Sequence, residues 1–437
     1  MSIGDVVWQD LDNSGRLEFG EPPIADVVVE LLDGAGAVAA TTLTDLGGKY
    51  RFHELQPGTY RVRIPAANFA PGRALDVFFP SDGPFANQNE GTQGNSDGRI
   101  SPSGVESGDV TLADGTELRD AGSFDDSVDF GFYSLGVAAT VWSDDDRDGF
   151  RDERERGIPR VIGRLLDRNG APVLDPFTGI SVTAVTGADG VLAFRGLAEG
   201  DYIVDLPSDN FVLGNTLHDH VSSAVTNLSA DGGTDDDDNG VPLDGGVRSG
   251  VFRLEAGMER SGRGTVEDTV DFGMVKLAAV GRRVWRDDDR DGREDEPGVA
   301  GVRVELIAGG QVRGTATTDG GGNYLFASLE PGTYSIRFVT ASLPAGFATT
   351  LVDVGDDRLD SDAGPDGLVS DIVLDTGEVD RSIDLGVYQG PVGELTPLLP
   401  ATGGSTILGV AAGGMTLLGM ALLMVAAGDR RRRPTVG

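Results

Sequence analysis

The 437-residue chain has no cysteine, three histidines and, among its 35 basic residues, only two lysines, Lys49 and Lys276. Without cysteine there can be no disulfide, no thiolate nucleophile and no Cys-ligated zinc or iron–sulfur site. His53, His218 and His220 are too few for a histidine-rich metal centre, and the His218–His220 pair sits in a polar stretch that reads as a loop. Positive charge is also scarce: 71 acidic residues leave a formal charge of -36. Such a surface repels nucleic acid phosphates and anionic head groups, so a nucleic-acid partner is excluded. No capped amphipathic helical stripe occurs before residue 400. What abounds is glycine, 66 residues, beside an ordinary apolar fraction of 39%. That balance favours short strands joined by tight turns.

The three tryptophans, Trp8, Trp142 and Trp285, each follow a valine, at the end of Gly4-Asp-Val-Val-Trp8, Ala138-Ala-Thr-Val-Trp142 and Gly281-Arg-Arg-Val-Trp285, and are followed within two residues by an Asp-rich segment. Downstream of each lies an aromatic–turn–aromatic element with identical spacing: Tyr50, Phe52, Leu55, Tyr60; Leu192, Phe194, Leu197, Tyr202; Tyr324, Phe326, Leu329, Tyr334. After the turn, apolar and polar side chains alternate, as in Tyr60, Val62 and Ile64 against Arg61 and Arg63, the period of a half-buried strand. Each copy closes on a D-F-G or D-L-G triplet at Asp129, Asp271 or Asp384. The chain is therefore expected to be all-β, with three tandem Ig-like β-sandwich modules of about seven strands over residues 1–134, 135–275 and 276–389.

Just after each tryptophan the spacing matches a twelve-residue calcium loop. Asp10, Asp12, Ser14, Gly15, Glu18 and Glu21 occupy positions 1, 3, 5, 6, 9 and 12, and Asp144, Asp146, Asp148, Gly149, Asp152 and Glu155 repeat them. Alternating carboxylates around a sharp glycine turn can supply the six to eight hard oxygens that Ca2+ takes, with Arg16 or Phe150 giving a backbone carbonyl at position 7. The third copy keeps Asp287, Asp289, Asp291, Gly292 and Asp295 but has Gly298 at position 12. Aligning Glu296 and Pro297 with Glu21 and Pro22 implies a two-residue deletion, so this site is expected to be the weakest. A solvated acidic turn is the alternative for all three. A second acidic cluster recurs in each module, at residues 87–97, 235–239 and 356–366, and reads equally as extra calcium ligands or a charged surface loop. The acidic loops, lying near each module's start, are expected to tie it to the preceding module.

Residues 406–428 form an uncharged 23-residue stretch, long enough at ~1.5 Å per residue for a transmembrane helix across a ~30 Å hydrocarbon core. Asp429 and four arginines, Arg430 to Arg433, follow and place the tail, residues 429–437, in the cytoplasm. Upstream, after a linker at residues 390–398, stand Leu399, Pro400, Ala401, Thr402 and Gly403. Residues 399–437 thus resemble the Gram-positive LPxTG cell-wall sorting signal. That resemblance implies a membrane stage before sorting, cleavage between Thr402 and Gly403 by a sortase, and covalent transfer of Thr402 to peptidoglycan. The chain would be a substrate, located in the cell wall at the outer surface. A GPI signal, the rival, lacks the basic terminus.

In that context residues 3–388 resemble tandem SdrD B-like, prealbumin-related domains of the serine-aspartate-repeat surface proteins. The match rests on V-W-x-D-x-D/N-x-x-G, on Thr44, Asp45, Gly48, Tyr50 and Phe52 with their counterparts Thr318, Asp319, Gly322, Tyr324 and Phe326, and on the closing triplets. It implies calcium-binding modules that act as rigid spacers for an adhesive head. The chain departs in having no serine-aspartate stretch and no apolar leader after Met1, which leads to the expectation of an export signal and head upstream. Intramolecular isopeptide bonds and pilin polymerisation need a placed lysine; Lys49 lies in the turn strand and Lys276 between modules, so neither is expected. The D-F-G triplets and the G-N-S-D-G at 94–98 imitate kinase and hydrolase motifs without the accompanying catalytic Lys or His, and no enzyme activity is expected. The reading is a calcium-stiffened stalk; direct binding of a host or matrix ligand by the modules is the alternative.

Overall fold

A computed structural model describes residues 1–83, 86, 94–113, 124–223, 236–259, 265–354 and 358–390. It is all-β, as expected from the sequence; its described helices are three short 3-10 turns, Ala66–Phe69, Ser208–Phe211 and Thr340–Ser342. Among the described residues no helix is long and apolar enough to cross a membrane. The apolar span at 406–428 and the pentapeptide Leu399 to Gly403 lie outside them.

The second module shows the plan. One sheet orders Val191–Arg195, Gly136–Ser143, Phe272–Lys276 and His220–Ser222; the other orders Thr183–Val185, Ile162–Asp167, Gly200–Leu206, Gly246–Arg248 and Val241–Leu243. Val137 and Val141 of the first sheet pack on Leu165 and Val204 of the second, all essentially without exposed surface. Ile3 to Phe132 and Ala278 to Val387 bracket two further cores of the same kind. This module has more strands than the seven expected, because Asp and Gly turns divide the long edges. Asp244 and Gly245, both at positive φ, make one such two-residue hairpin between Val241–Leu243 and Gly246–Arg248.

Repeated motifs now acquire local causes. The threonine of T-D-x-x-G bridges two backbone segments: Thr44 Oγ1 donates to Ile24 O at 2.8 Å and accepts the Val27 N–H at 3.0 Å, and Thr186 and Thr318 do the same in their modules. The aspartate that follows caps the turn, Asp45 Oδ1 accepting the N–H groups of Gly47 and Lys49 at 2.9 Å. The tyrosine after the glycine turn donates four residues back, Tyr60 to Gln56 O, Tyr202 to Ala198 O and Tyr334 to Glu330 O.

The closing strand lies parallel to the first, pairing Val7 with Phe130, Val141 with Phe272 and Val284 with Leu385. Glycine of the closing triplet sits against the buried tryptophan: a Cβ on Gly131, Gly273 or Gly386 would lie 2.8, 3.0 or 2.7 Å from Cζ2 of Trp8, Trp142 or Trp285. The kinase-like triplet is thus a packing motif. Gly273→Ala should destabilise the second module by about 1–3 kcal/mol through overpacking, read as a lowered midpoint in urea.

Candidate metal centres

Parallel pairing of first and last strands delivers the acidic loop to a fixed place. Asp10 N–H donates to Phe132 O, Asp144 N–H to Met274 O and Asp287 N–H to Val387 O, at 2.8–3.0 Å, so the first loop residue is hung from the closing strand. The position-6 glycines, Gly15, Gly149 and Gly292, all have φ near +78°, the left-handed turn that the motif anticipates. There the loop wraps its own first carboxylate: Gly15 N–H donates to Asp10 Oδ2 at 2.8 Å, Gly149 N–H to Asp144 Oδ2 at 3.1 Å and Gly292 N–H to Asp287 Oδ2 at 3.1 Å.

Three acidic groups result, each with ligand oxygens within 4.8 Å of one another: Asp10, Asp12 and Glu21; Asp144, Asp146 and Glu155; Asp287, Asp289 and Asp291. These clusters can hold a metal ion. Ser14, Glu18, Asp148, Asp152, Asp295 and Glu296 lie in the same loops but outside those trios. The position-12 glutamate is held over the loop by two N–H groups, Glu21 by Leu11 and Glu18, Glu155 by Asp145 and Asp152. In the third loop Glu296 accepts the equivalent Asp288 N–H at 3.1 Å, and Arg286 N–H bonds Pro297 O as Gln9 N–H bonds Pro22 O. Glu296 therefore takes the place of Glu21 despite the two-residue deletion. Glu294 is drawn instead to Arg282 at 2.6 Å and Arg283 at 2.7 Å.

The second acidic cluster pairs with the first through antiparallel bridges from the position-7 residue: Arg16 with Asn95, Phe150 with Asp237, Arg293 with Asp360. Its neighbours support the closing strand. Asp97 Oδ2, Asn239 Oδ1 and Asp362 Oδ2 accept the N–H of Asp129, Asp271 and Asp384, while Ser96, Asp238 and Ser361 accept that of Gly131, Gly273 and Gly386. Residues 87–93, 235 and 355–357 of this cluster lie outside the described residues. Sequence reasoning missed two hydroxyls: Ser223 Oγ and Thr350 Oγ1 donate to Asp144 and Asp287. A lone Ser or Thr some 60–80 residues away carries no signal that could have found them.

The first two loops also meet the next module, not the preceding one as the sequence suggested. Arg147 Nη1 donates to Pro331 O at 2.6 Å and Thr376 Oγ1 to Asp145 O at 2.8 Å, joining the second loop to module three. Gly257 of module two lies against Leu11 and Asp12 of the first loop. The reason is the length of the first strand: Gly136–Ser143 starts at the junction with module one and carries the loop to the module's far end. Arg290, the counterpart of Arg147, stacks on Tyr388 of its own module, 4.4 Å from the ring centre.

A family model for the SdrD B-like domain matches residues 1–132, 134–245 and 278–387. The chain belongs to the SdrD B-like domain family. It is 30% identical over 402 residues to serine-aspartate repeat-containing protein F of Staphylococcus epidermidis, covering 89% of this chain and 21% of that protein. It is 28% identical over 401 residues to serine-aspartate repeat-containing protein D of Staphylococcus aureus strain Newman, covering 89% of this chain and 25% of that one. The chain thus spans about a quarter or less of these relatives' length. Among solved structures, the major pilin subunit BcpA of Bacillus cereus aligns over 89% of this chain and 99% of its own, at 12% identity and a TM-score of 0.28.

Burial shapes the electrostatics. Burial, with the charges of Asp5 and Asp97, pushes Asp129 well above the usual carboxylate range. Burial pushes Asp238 up to about 7, with Asp144 and Asp237 adding to it. A carboxyl raised on folding binds its proton more tightly in the folded chain, so stability falls as pH rises from the unfolded value, ~4, through the folded one. In chelator the melting temperature should therefore drop as pH goes from about 5 to 8, on the order of 5 °C. A divalent cation held at the neighbouring acidic groups, by favouring the ionised carboxylates, should reduce that slope, as followed by circular dichroism.

Proposed function

We propose that this chain is the stalk part of a bacterial cell-surface protein whose calcium-bound loops stiffen the junctions between β-sandwich modules. The observation that carries the reading is the place of the second loop: Asp145 and Arg147, flanking its first two carboxylates, are themselves the contacts to module three. An ion that orders this loop orders the junction too. The donors suit calcium. They are carboxylate oxygens with no histidine or thiol, and among the described residues no Arg or Lys pairs with Asp10, Asp12, Glu21, Asp144, Asp146 or Glu155. Of these, Asp10, Asp144 and Glu155 are buried, and buried anions without a counter-charge are costly, which is what a resident hard cation would relieve. At a hundredfold excess over its dissociation constant, one ion adds about 2.7 kcal/mol to stability.

Those six residues would hold the ion in modules one and two, and Asp287, Asp289, Asp291 and Glu296 in module three. Calcium supplies charge neutralisation and a fixed loop shape there. Loop three, with Glu294 already paired to two arginines, would depend on it least.

The junction between modules one and two has apolar support as well. Phe177, in a turn of module two, stacks on Phe69 of module one with ring centres 4.3 Å apart, and Phe79 of module one packs on the module-two core. Glu199 N–H donates to the Tyr133 hydroxyl at 3.1 Å across the same junction. Small-angle scattering of the chain should show a stiff particle of fixed maximum dimension with calcium and a broader distribution in chelator, with the change concentrated at the junction between modules two and three. Identical profiles in both conditions, or tight binding of a host or matrix protein by the modules, would favour the direct-binding reading.

Residues 399–437 complete the proposal as a sorting signal that hands the stalk from the membrane to a sortase and, through Thr402, to peptidoglycan. In a sortase-bearing Gram-positive host and behind a working export signal, the protein should resist detergent and be released by a wall-digesting enzyme. Thr402→Ala should shift it to membrane or medium; wall attachment of that variant would refute the assignment.

A further inference from the structure

The triplet that faces the calcium loop differs between modules in where it places its charge. It reads Asn95, Ser96, Asp97 in module one, Asp360, Ser361, Asp362 in module three, and Asp237, Asp238, Asn239 in module two. The third residue accepts the N–H of the closing-strand aspartate, and Asn239 Oδ1 does so at 2.8 Å as well as the carboxylates do at 2.7 and 2.5 Å; in modules one and two it also bonds the first residue of the triplet, Asp97 accepting from Asn95 and Asn239 donating to Asp237. The middle residue accepts the N–H of the following glycine, which Ser96 and Ser361 do with a neutral hydroxyl. Asp238 does it with a carboxylate. Relative to module three, one charge has moved from the third residue to the middle one; relative to module one, the outer Asn and Asp have exchanged places and the middle residue has gained a carboxylate.

Asp238 has no exposed surface. Its Oδ1 accepts Gly240 N–H at 2.9 Å and Gly273 N–H at 3.1 Å, which accounts for one oxygen. Its Oδ2 is buried and has no hydrogen-bond partner. Its backbone N–H bonds Gly149 O, the turn glycine of the loop, at 2.9 Å, and the charges acting on its carboxylate are those of Asp144 and Asp237. Asp144 and Asp237 are themselves buried. Three buried carboxylates, one with an oxygen that nothing engages, therefore lie close enough beside the second loop to act on one another. Serine at this position needs no counter-ion; aspartate does.

We propose that Asp238 is an additional carboxylate of the module-two cation site, standing where modules one and three carry neutral Ser96 and Ser361, and that it makes this the tightest divalent-cation site of the three. This rests on the calcium reading above and specifies which module retains the ion longest as calcium falls. Because the second loop makes the contacts to module three, the stronger site guards that junction.

The test uses the whole chain with loops one and three disabled by Asp12→Ala with Glu21→Ala and Asp289→Ala with Asp291→Ala, so that calorimetric titration with Ca2+ reads module two alone. Asp238→Asn keeps an acceptor for Gly240 and Gly273 and removes only the charge; Asp238→Ser restores the residue of the sister modules. Each should weaken binding by about tenfold or more, as ligand charge tunes such sites. Asp238→Asn should also raise the melting temperature in chelator while shrinking the calcium-induced increase, a pair of opposite shifts that a purely structural side chain would not give. If both variants bind calcium as the parent does while Glu155→Gln abolishes binding, the calcium reading stands and the role of Asp238 is overturned. If the parent itself binds no calcium, both fall.

Discussion

Each module brings its first strand alongside its last in parallel register, Val141 opposite Phe272 and its counterparts, and most of what distinguishes this chain hangs on that pairing. Parallel neighbours cannot be joined by a hairpin, so the whole module lies between them in sequence and its two ends meet in space. The buried tryptophan is placed against the glycine of the closing triplet. The acidic loop leaves from beside that tryptophan and is suspended by its first residue from the closing strand. Closing aspartates bind back to the first strand, Asp129 accepting Val6 N–H and Asp271 accepting Thr140 N–H at 2.7 Å. The ends of the module are thus fastened before any ion is considered.

A cost accompanies this arrangement. Fastening the ends gathers Asp10, Asp97 and Asp129 in module one, and Asp144, Asp237, Asp238 and Asp271 in module two, into spaces that water does not reach. Backbone N–H groups satisfy many of these oxygens, but hydrogen bonds from neutral donors do not cancel net charge. Module three has followed a different course, placing Arg282 beside both Glu294 and Asp384. The three repeats therefore differ in how much internal counter-charge they give their buried carboxylates, although their folds and turn motifs are the same.

Junction mechanics follow from strand length. An eight-residue first strand, Gly136–Ser143, spans the module and sets its loop against the next one, so loop order and junction order are one variable. The junctions are not built alike. Between modules one and two an aromatic stack supplements the loop contact, whereas between modules two and three the contacts are hydrogen bonds from Arg147, Thr376 and Ser328, the last to Asp219 at 3.0 Å.

Sequence alone determined the repeat, the all-β class, the loop register and the glycine at each sharp turn, because these are local: a period of two, a fixed spacing from tryptophan and a φ that only glycine adopts cheaply are written into contiguous residues. It also exposed the missing position-12 glutamate of the third loop. Aligning Glu296 with Glu21 was within reach of the sequence as well; only the tertiary structure decided that the two acidic clusters of a module are bridged through the position-7 residue and that the loop points forward along the chain. Both depend on which backbone segments, far apart in the chain, lie side by side after the intervening residues have folded, and a carboxylate such as Asp238 in place of serine acquires meaning only when the atoms it faces are known.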